Sequence, residues 1–599
     1  MISIYQLFPR IFGNTNNNNK KWGSISENGC GKFDDINNYA INSIKDLGFT
    51  HIWLTGILMH STTTDYTKHN IPNNNPLVVK GVAGSPYAIK NYYDVDPDLA
   101  NKVNNRINEF ENLVDRIHKN GLKAIIDFVP NHLAREYYNS INYKNTTHNT
   151  KYDFGNNDNT SLEFEVDNSF YYYKGQDLKL PHQIFDLQNI KELKDKNQLV
   201  VYHECPAKAT GNNCFNNTPN FNDWYDTIKL NYGIDFRNGE KHFSLDDNTY
   251  IPKTWHSMYN VLRYWAYKGV DGFRCDMVEM VPVEFWHWVI KKIKREFPKI
   301  IFIAEIYNFD LYEDYINIGH FDYLYDKINL YDTLRDIIEG KKNSSEITKV
   351  WQKLDKVSIR SKNINGNSSI HNSSIHNSTN NNEFFNSEKD INCNDKMLRF
   401  IENHDEQRIA SKHFAKNPLM GIPAFAICAL MHRGGVMLYN GQELGITGDY
   451  ESGYSKDDGR TTIFDYWSEN EFIRWNNNGI YNLDNFNNDI INLRNSYSKI
   501  LNLATKNKTF SEGYFYDLMW QNKHLIDQNC FAFLRGGKEK DDELCLVVVN
   551  FSNSPQQLIV NLHLEAANFF NKPNIVKQGD TRSLLVEVDY FNWTYINLF

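Results

Sequence analysis

The feature that most constrains the fold of this chain is a repeated alternation of short apolar runs with amphipathic stretches. Parallel strands joined by crossover helices produce such a pattern, because the strands are buried on both faces and the helices on one. Helix candidates at residues 110–120, 254–268 and 284–297 each end at glycine or proline. The candidate strands are residues 2–8, 51–58, 123–131, 271–276, 301–307, 321–326, 397–405 and 435–443. Eight strands with intervening helices predict an α/β fold, a (β/α)8 TIM barrel.

The spacing of the strands divides the chain into domains. A barrel unit takes about 31 residues, and the stretch between strands 3 and 4 exceeds this by more than about a hundred, which predicts an inserted subdomain. The domain assignment is 1–132 and 251–509 for the barrel, 133–250 for the inserted subdomain and 510–599, where only strand patterns occur, for an antiparallel β-sandwich. Residues 361–394 are rich in Asn and Ser and predict a disordered insertion.

Charge and composition exclude several classes of protein. The net charge is −9, and the absence of a long basic block argues against a nucleic-acid partner. No run approaches the ~20 apolar residues of a membrane span, and the first residues lack the pattern of a secretory leader, so we expect a cytoplasmic protein. The 8 cysteines form no CxxC pair; Cys205 and Cys214 are close enough for a disulfide, with two free thiols as the alternative. No organic cofactor is expected, and the oligomeric state stays open.

Polar residues follow the apolar runs of strands 4, 5 and 7, at the end of the barrel that carries the active site in this architecture. Arg274 and Asp276 point to the same side of strand 4, so the guanidinium is expected to hold Asp276 ionised. Glu305 follows apolar residues 302–304, which predicts a raised pKa and an acid role. Strand 7 ends in ENHD, with Asp405 as a third carboxylate. Two carboxyl groups about 5 to 5.5 Å apart are what retaining glycoside hydrolysis requires.

Four ordered motifs then carry a family resemblance. DFVPNH (127–132), GFRCD (272–276), Glu305 within FIAEI, and ENHD (402–405) resemble those of the α-amylase family, glycoside hydrolase family thirteen. Supporting matches are YQLFPRIF near the start, SPYAIKNYYDVDP at 85–97, MLYNGQELG at 437–445 and LVVVNFS at 546–552. The resemblance implies a retaining α-glycoside hydrolase that acts on α-1,4-linked glucans (starch, glycogen or maltooligosaccharides) through a covalent glycosyl-enzyme intermediate.

The resemblance also implies a role for each site residue. Asp276 would be the nucleophile, Glu305 the general acid/base, and Asp405 the carboxylate that stabilises the transition state. Arg274 would position the nucleophile. The residues implied in substrate binding, besides Arg274, are Tyr87, His132 and His404.

Calcium is the one cofactor that the resemblance raises. Asn131 matches an asparagine that binds a structural calcium in many members, and Asp226 offers a second oxygen ligand. Many starch-degrading members carry a Lys-His pair after the nucleophile, where this chain has Glu279 and Met280. The departure leaves open both the acceptor preference and calcium binding, although the Met280 carbonyl could still serve as a ligand.

Alternative functions stay open within and outside the family. An exo-acting α-glucosidase, a cyclomaltodextrinase-like enzyme and an α-glucan transglycosylase share the same catalytic motifs. A non-catalytic carbohydrate-binding homologue is the alternative from another class, and the presence of all three carboxylates argues against it.

Overall fold

In the computed structural model, which describes residues 1–138, 153–196, 200–245, 250–359, 392–576 and 581–599, eight parallel strands close into a barrel. In chain order they are Ser3–Leu7, His51–Leu54, Lys123–Phe128, Gly272–Cys275, Ile301–Ala304, Tyr323–Tyr325, Met397–Arg399 and Gly435–Tyr439. Strand 8 pairs with strand 1, and the ring closes in register with Ser3 opposite Val436. The predicted (β/α)8 fold and all eight predicted strand positions are confirmed.

Side chains fill the inside of the barrel. Ile4, Trp53, Ile125, Ile303 and Leu398 form one apolar cluster there, and none is more than 1% exposed. Bulky residues from successive strands pack in layers in this way when a barrel has eight strands. The carboxyl ends of the strands lie above this layer, so the polar side chains there pack against a filled apolar interior.

Helices form the outer layer. Residues Arg106–Lys119 bury Phe110, Leu113, Val114 and Ile117, the i, i+3, i+4, i+7 spacing that faces a helix toward a core. The α-helices of the described residues are Pro9–Phe12, Ile25–Asn28, Asn38–Leu47, Arg106–Lys119, Gln188–Asp195, Lys253–Tyr267, Val283–Glu296, Tyr312–Asn317, Asp332–Ile338, Glu346–Asp355, Gly421–Leu430, Asn470–Asn476, Asn488–Lys506, Lys508–Ser511, Met519–Asn522 and Leu564–Phe569. None of the helices in these stretches is long and apolar enough to cross a membrane.

Among the described residues, short antiparallel strand pairs form in the connections after barrel strands 2 and 3. Between strands 2 and 3, Leu58–His60 pairs with Ile89–Val95, an excursion that the sequence analysis did not identify. Between strands 3 and 4 the described residues form short antiparallel pairs. These are His132–Ala134 with Thr227–Lys229, Tyr172–Tyr173 with Ala207–Lys208, and Ile234–Asp235 with Glu240–Lys241. Cys205 and Cys214 lie in this region as free thiols, so the disulfide considered above is not formed.

The C-terminal part is antiparallel, as predicted. One sheet contains Tyr514–Asp517, Cys530–Gly536, Leu544–Asn550 and Asn592–Asn597, and a second pair is formed by Gln556–His563 and Thr581–Val588. Helix Gly421–Leu430 of the barrel is buried along its whole length, and the buried Arg535 donates to the Leu430 carbonyl. A charge-assisted bond of this kind ties the sheet to the barrel.

Most of the predicted disordered insertion, residues 361–391, lies outside the described residues. Residues 392–394, assigned above to the same insertion, are ordered. The 3-10 turn Cys393–Lys396 leads into strand 7. Asn394 is fully buried, accepts from Arg399 Nη2 at 2.9 Å and donates to the Trp351 carbonyl at 3.0 Å. These bonds hold residues 392–394 against the barrel at the start of strand 7.

Candidate active site

One guanidinium joins the two carboxylates of strands 4 and 5. Arg274 Nη1 lies 2.8 Å from Asp276 Oδ1, and Arg274 Nη2 lies 2.6 Å from Glu305 Oε1. All three side chains are buried. The strands pair in register with Arg274 opposite Ile303, so Asp276 and Glu305 leave adjacent strands at the same height. The pairing predicted for Arg274 and Asp276 is present, and an ion pair with Glu305 comes in addition.

Aromatic rings enclose the Arg274 guanidinium. The rings of Trp53, Tyr87 and Tyr325 have their centroids 5.2, 5.5 and 5.5 Å from its central carbon. Asp127, at the end of strand 3, is a third carboxylate 3.6 Å from Nη1. Water is therefore replaced around the cation by ring faces and carboxylates, which fixes its position.

Burial determines the protonation of this cluster. Burial and the negative charge of Glu305 raise the pKa of Asp276 well above its usual range, and Arg274 opposes the rise. Burial also raises the pKa of Asp127 to about 6, again against the influence of Arg274. The expectation that Arg274 alone would keep Asp276 ionised is therefore too simple. Two buried carboxyl groups that face each other retain a proton to higher pH than either would alone.

Glu305 meets donors, not the apolar surroundings inferred from residues 302–304. Besides Arg274, its carboxylate accepts from Tyr307 Oη at 2.8 Å and from the Met277 backbone N–H at 2.9 Å. Met277 has φ 43°, a left-handed conformation that is costly for a residue with a Cβ. The backbone turn directly after Asp276 thus aims an N–H at Glu305.

The ENHD motif, residues 402–405, forms a turn. The Asn403 side chain accepts from the backbone N–H groups of Asp405 and Glu406, at 2.8 and 3.0 Å. Glu402 forms a buried ion pair of 2.9 Å with Arg408, which anchors the loop below the turn. The turn leaves the Asp405 side chain 43% exposed. Of the three predicted catalytic carboxylates, Asp405 is the one open to solvent.

His404 is a neutral donor at the edge of the cluster. Gln6 Nε2 donates to its Nδ1 at 2.9 Å, which leaves the proton on Nε2. That nitrogen lies 2.5 Å from Tyr87 Oη and 3.2 Å from Asp405 Oδ2. Burial, with help from Arg274, lowers the pKa of His404 to about 3, so the ring stays neutral at physiological pH.

His132 lies on the other side of Tyr87. Its ring contacts Trp224 at a centroid distance of 5.0 Å and hydrogen-bonds the Tyr87 backbone. Burial lowers its pKa to about 3, with Lys229 adding to the effect. The structure brings Tyr87, Arg274, His404 and Asp405 into one constellation, and connects His132 to it through the Tyr87 backbone.

Four residues of the constellation, Asp127, Tyr307, Trp53 and Tyr325, had no role predicted from the sequence. Asp127 belongs to the quoted motif DFVPNH, and its place at the end of strand 3 was the signal that could have revealed it. Tyr307 sits two residues after Glu305, on the same side of the extended chain. Trp53 lies within strand 2 in an apolar run, where nothing in the sequence distinguishes a core tryptophan from one that packs against a guanidinium.

The two predicted calcium ligands do not form one calcium site. Asn131 Oδ1 is contacted by Lys229 Nζ, and Asp226 Oδ1 is paired with Lys80 Nζ at 3.1 Å. Asn131 lies opposite Leu230 and Asp226 opposite Arg135 in the antiparallel ladder, positions about 13 Å apart along the strands. As the side chains lie in this structure, the two oxygens do not fit a joint site, because an ammonium contacts each of them. Among the described residues, the ligand atoms of His413, Asp449 and Asp457 come within 4.8 Å of one another, but this group contains neither predicted ligand.

Comparison with known proteins gives the family. Residues 6–508 match the family model described as Alpha amylase, catalytic domain. Among solved structures, the cyclic α-maltosyl-(1→6)-maltose hydrolase from Arthrobacter globiformis superposes with a TM-score of 0.57, covering 100% of this chain and 98% of that chain. At 15% identity this likeness concerns the fold.

Two curated relatives are similar over about half of the chain. An α-glucosidase from Apis mellifera is 24% identical over 315 residues, which are 52% of this chain and 41% of that protein. An α-1,4-glucan:maltose-1-phosphate maltosyltransferase from Picrophilus torridus is 22% identical over 313 residues, 51% of this chain and 33% of the relative. The chain therefore covers less than half the length of either relative.

Proposed function

Because the chain belongs to the α-amylase family, we propose that it is a retaining α-glycoside hydrolase. Its substrates would be α-1,4-linked glucans such as starch, glycogen or maltooligosaccharides. One observation carries the proposal, the bridging of Asp276 and Glu305 by Arg274 at 2.8 and 2.6 Å. Two carboxyl groups held by the two ends of one guanidinium lie close together, which is compatible with the ~5 to 5.5 Å spacing of retaining enzymes.

The first step needs Asp276 ionised and Glu305 protonated. Asp276 attacks the anomeric carbon while Glu305 gives its proton to the departing glycosidic oxygen, which forms a glycosyl ester and frees the shortened glucan. The carboxyl pair retains a proton because burial and like charge raise the pKa of Asp276.

The second step reverses the roles. Glu305, now a carboxylate, takes a proton from water, and the water oxygen attacks the anomeric carbon and releases Asp276. Tyr307 Oη and the Met277 N–H, both already bonded to Glu305, hold it in place through both steps. Asp405 faces the open side, where it can accept sugar hydroxyls and stabilise the oxocarbenium-like transition state.

The neighbouring neutral groups would bind the sugar. His404 carries its proton on Nε2, next to Tyr87 Oη, so the two form a polar edge beside Asp405. Both can exchange hydrogen bonds with hydroxyl groups of one glucose unit, while the Tyr87 ring offers a face for stacking. His132 would extend this edge on the side of the inserted subdomain.

A transfer or exo-acting mode is the second candidate. It is supported by the two relatives, whose names describe an α-glucosidase and a maltosyltransferase. Both modes use the same first step and differ in whether water or a sugar hydroxyl accepts the glycosyl group.

Product analysis tests the proposal. Soluble starch and maltoheptaose are incubated with the wild type, with Asp276→Asn, and with Asp322→Asn. The control makes the same change at a carboxylate paired with Lys294 near the opposite end of the barrel. We expect α-configured products by NMR, a loss of several orders of magnitude in Asp276→Asn, and near-normal activity in the control. Products of mixed length indicate endo action, and glucose alone or elongated products favour the second candidate. A wild type that acts on no α-glucan contradicts the proposal.

A further inference from the structure

Lys229 is a buried lysine at the junction of the barrel and the inserted subdomain. It ends the strand Thr227–Lys229, lies directly opposite His132 in the antiparallel ladder, and is 5% exposed. Its Nζ contacts Asn131 Oδ1 and donates to the Met280 carbonyl at 3.0 Å. One side chain therefore joins the end of barrel strand 3, the loop after the nucleophile, and the inserted subdomain.

The surroundings of Lys229 are unusual for a lysine. None of the ion pairs formed by the described residues includes it, although its side chain is buried. A buried cation without a carboxylate partner is costly. What the site offers are two uncharged oxygens, which are ligands of the kind that a hard cation such as calcium accepts.

The amino group and a metal ion exclude each other here. Calcium needs oxygen ligands at about 2.3 to 2.6 Å, and an ion bound to both Asn131 Oδ1 and the Met280 carbonyl would lie where the nitrogen lies. Members of the family generally bind calcium. Two oxygens that such a calcium site would use, Asn131 Oδ1 and the Met280 carbonyl, are therefore already in contact with the Lys229 side chain.

We propose that Lys229 is a positioning residue whose ε-amino group takes the place of a structural calcium between the barrel and the inserted subdomain. It fixes Asn131, whose side-chain amide lies 3.2 Å from His132 Nδ1. It also fixes Met280, which continues the turn that starts at Met277, the donor to Glu305.

The expected effect of Lys229 on substrate binding rests on the proposed function. The expected effect on calcium binding does not. If Lys229 replaces the ion, the wild type should be indifferent to calcium and to chelator. The positions of His132 and of the loop after Asp276 should depend on the amino group of Lys229 instead. Substrate binding should therefore depend on that amino group too.

Three variants separate these effects. Lys229→Met keeps the aliphatic stem and removes both bonds. Lys229→Asp removes them and adds a carboxylate near Asn131 Oδ1 and the Met280 carbonyl, which makes an oxygen set suited to calcium. Lys572→Met is the matched control, because Lys572 is 4% exposed and its Nζ donates to two carbonyls, those of Glu539 and Lys540, at 3.1 Å each. That site lies in the C-terminal part.

The measurements are thermal unfolding in EDTA and in calcium chloride, calorimetric titration with calcium, and kcat and KM on maltoheptaose. We expect the wild type to unfold at the same temperature in both solutions. Lys229→Met should unfold at lower temperature in both, with kcat/KM reduced about tenfold and mainly through KM. Lys229→Asp should bind calcium and regain stability with it. Lys572→Met should lose stability without a calcium response and without a change in KM.

Other outcomes overturn the proposal. Stoichiometric calcium binding by the wild type, with a loss of stability in EDTA, contradicts the replacement of the ion. A Lys229→Met variant with unchanged stability and KM contradicts the positioning role. If neither Lys229 variant folds, the wild-type calcium titration still decides. A wild type that cleaves no glucan fails the proposed function but leaves the calcium and stability results intact.

Discussion

Replacing Arg274 removes the cation on which the catalytic cluster depends. Arg274→Met leaves Asp276, Glu305 and Asp127 without the guanidinium that now lies 2.8, 2.6 and 3.6 Å from them. Breaking a buried ion pair from one side costs about 3 to 5 kcal/mol. At about 1.36 kcal/mol per tenfold, the same amount lost from the transition state corresponds to about 10² to 10⁴ in kcat/KM.

Arg274→Lys should have a smaller effect. An ammonium keeps the charge but presents one nitrogen, so it cannot bond both carboxylates as the two ends of the guanidinium do. The loss of one charge-assisted hydrogen bond, about 1.5 to 3 kcal/mol, predicts a reduction of roughly 10 to 150-fold. The order wild type, lysine, methionine is therefore part of the prediction.

The pH profile distinguishes an electrostatic role from a structural one. Arg274 lowers the pKa of Asp276 against the rise caused by burial and Glu305. Without it Asp276 stays protonated, and so inactive as a nucleophile, to higher pH. The acidic limb of kcat/KM should therefore move to higher pH in Arg274→Met.

The assay is kcat/KM from pH 4 to 9 on a maltooligosaccharide with a chromogenic leaving group, together with urea unfolding. Arg399→Met is the control, because Arg399 forms an equally buried pair of 3.1 Å with Asp326. It should lower the free energy of unfolding by a similar amount and leave the acidic limb in place. An Arg274→Met variant within threefold of wild-type activity, with an unmoved acidic limb, would refute the reasoning.

Three further predictions follow from single contacts. Tyr87→Phe removes the hydroxyl 2.5 Å from His404 Nε2; about 1 kcal/mol for one neutral hydrogen bond predicts a roughly fivefold higher KM on maltoheptaose with kcat changed less, and an unchanged KM would speak against the polar edge. Arg408→Met leaves Glu402 buried without its partner at 2.9 Å, so urea unfolding should show a loss of about 3 to 5 kcal/mol, and a loss below about 1 kcal/mol would contradict this. His132 and His404 have pKa values lowered to about 3, whereas an unfolded histidine titrates near 6.5; the unfolded chain therefore binds more protons in this range, and stability, complete above about pH 6.5, is lost as the pH falls toward 3. His404→Asn should flatten that loss in pH-dependent unfolding, and an equally steep loss would show that His404 does not contribute.

The barrel could be predicted because its strands are short runs of buried apolar residues that alternate with amphipathic helices. The predicted runs extend past the observed ends, as in 397–405 against Met397–Arg399, because the motif that turns away from the strand also begins with buried residues. The spacing predicted that a subdomain is inserted between strands 3 and 4, but the sequence could not reveal the strands within it. Its described strands are 2 or 3 residues long, such as Tyr172–Tyr173, too short for any periodicity.

Part of the candidate site could be predicted in the same way as the barrel. The sequence places three carboxylates after predicted strands, those of Asp276, Glu305 and Asp405. It does not predict the contact of Lys229 with Asn131, because the two residues lie far apart along the chain. Only the pairing of two short strands places Lys229 opposite His132. The calcium ligands were predicted from residues with side-chain oxygens. That criterion leaves out Lys229, whose amino group contacts Asn131.

The most direct test of the central claim is to trap the covalent intermediate. The wild type is incubated with a 5-fluoro maltosyl fluoride, which forms the glycosyl ester quickly and releases it slowly, and the digested protein is analysed by mass spectrometry. We predict one maltosyl group per chain on the peptide that contains Asp276, and none in Asp276→Asn. A label on another carboxylate, or turnover of the reagent without a covalent adduct, would contradict the assignment of Asp276 as the nucleophile of a retaining enzyme.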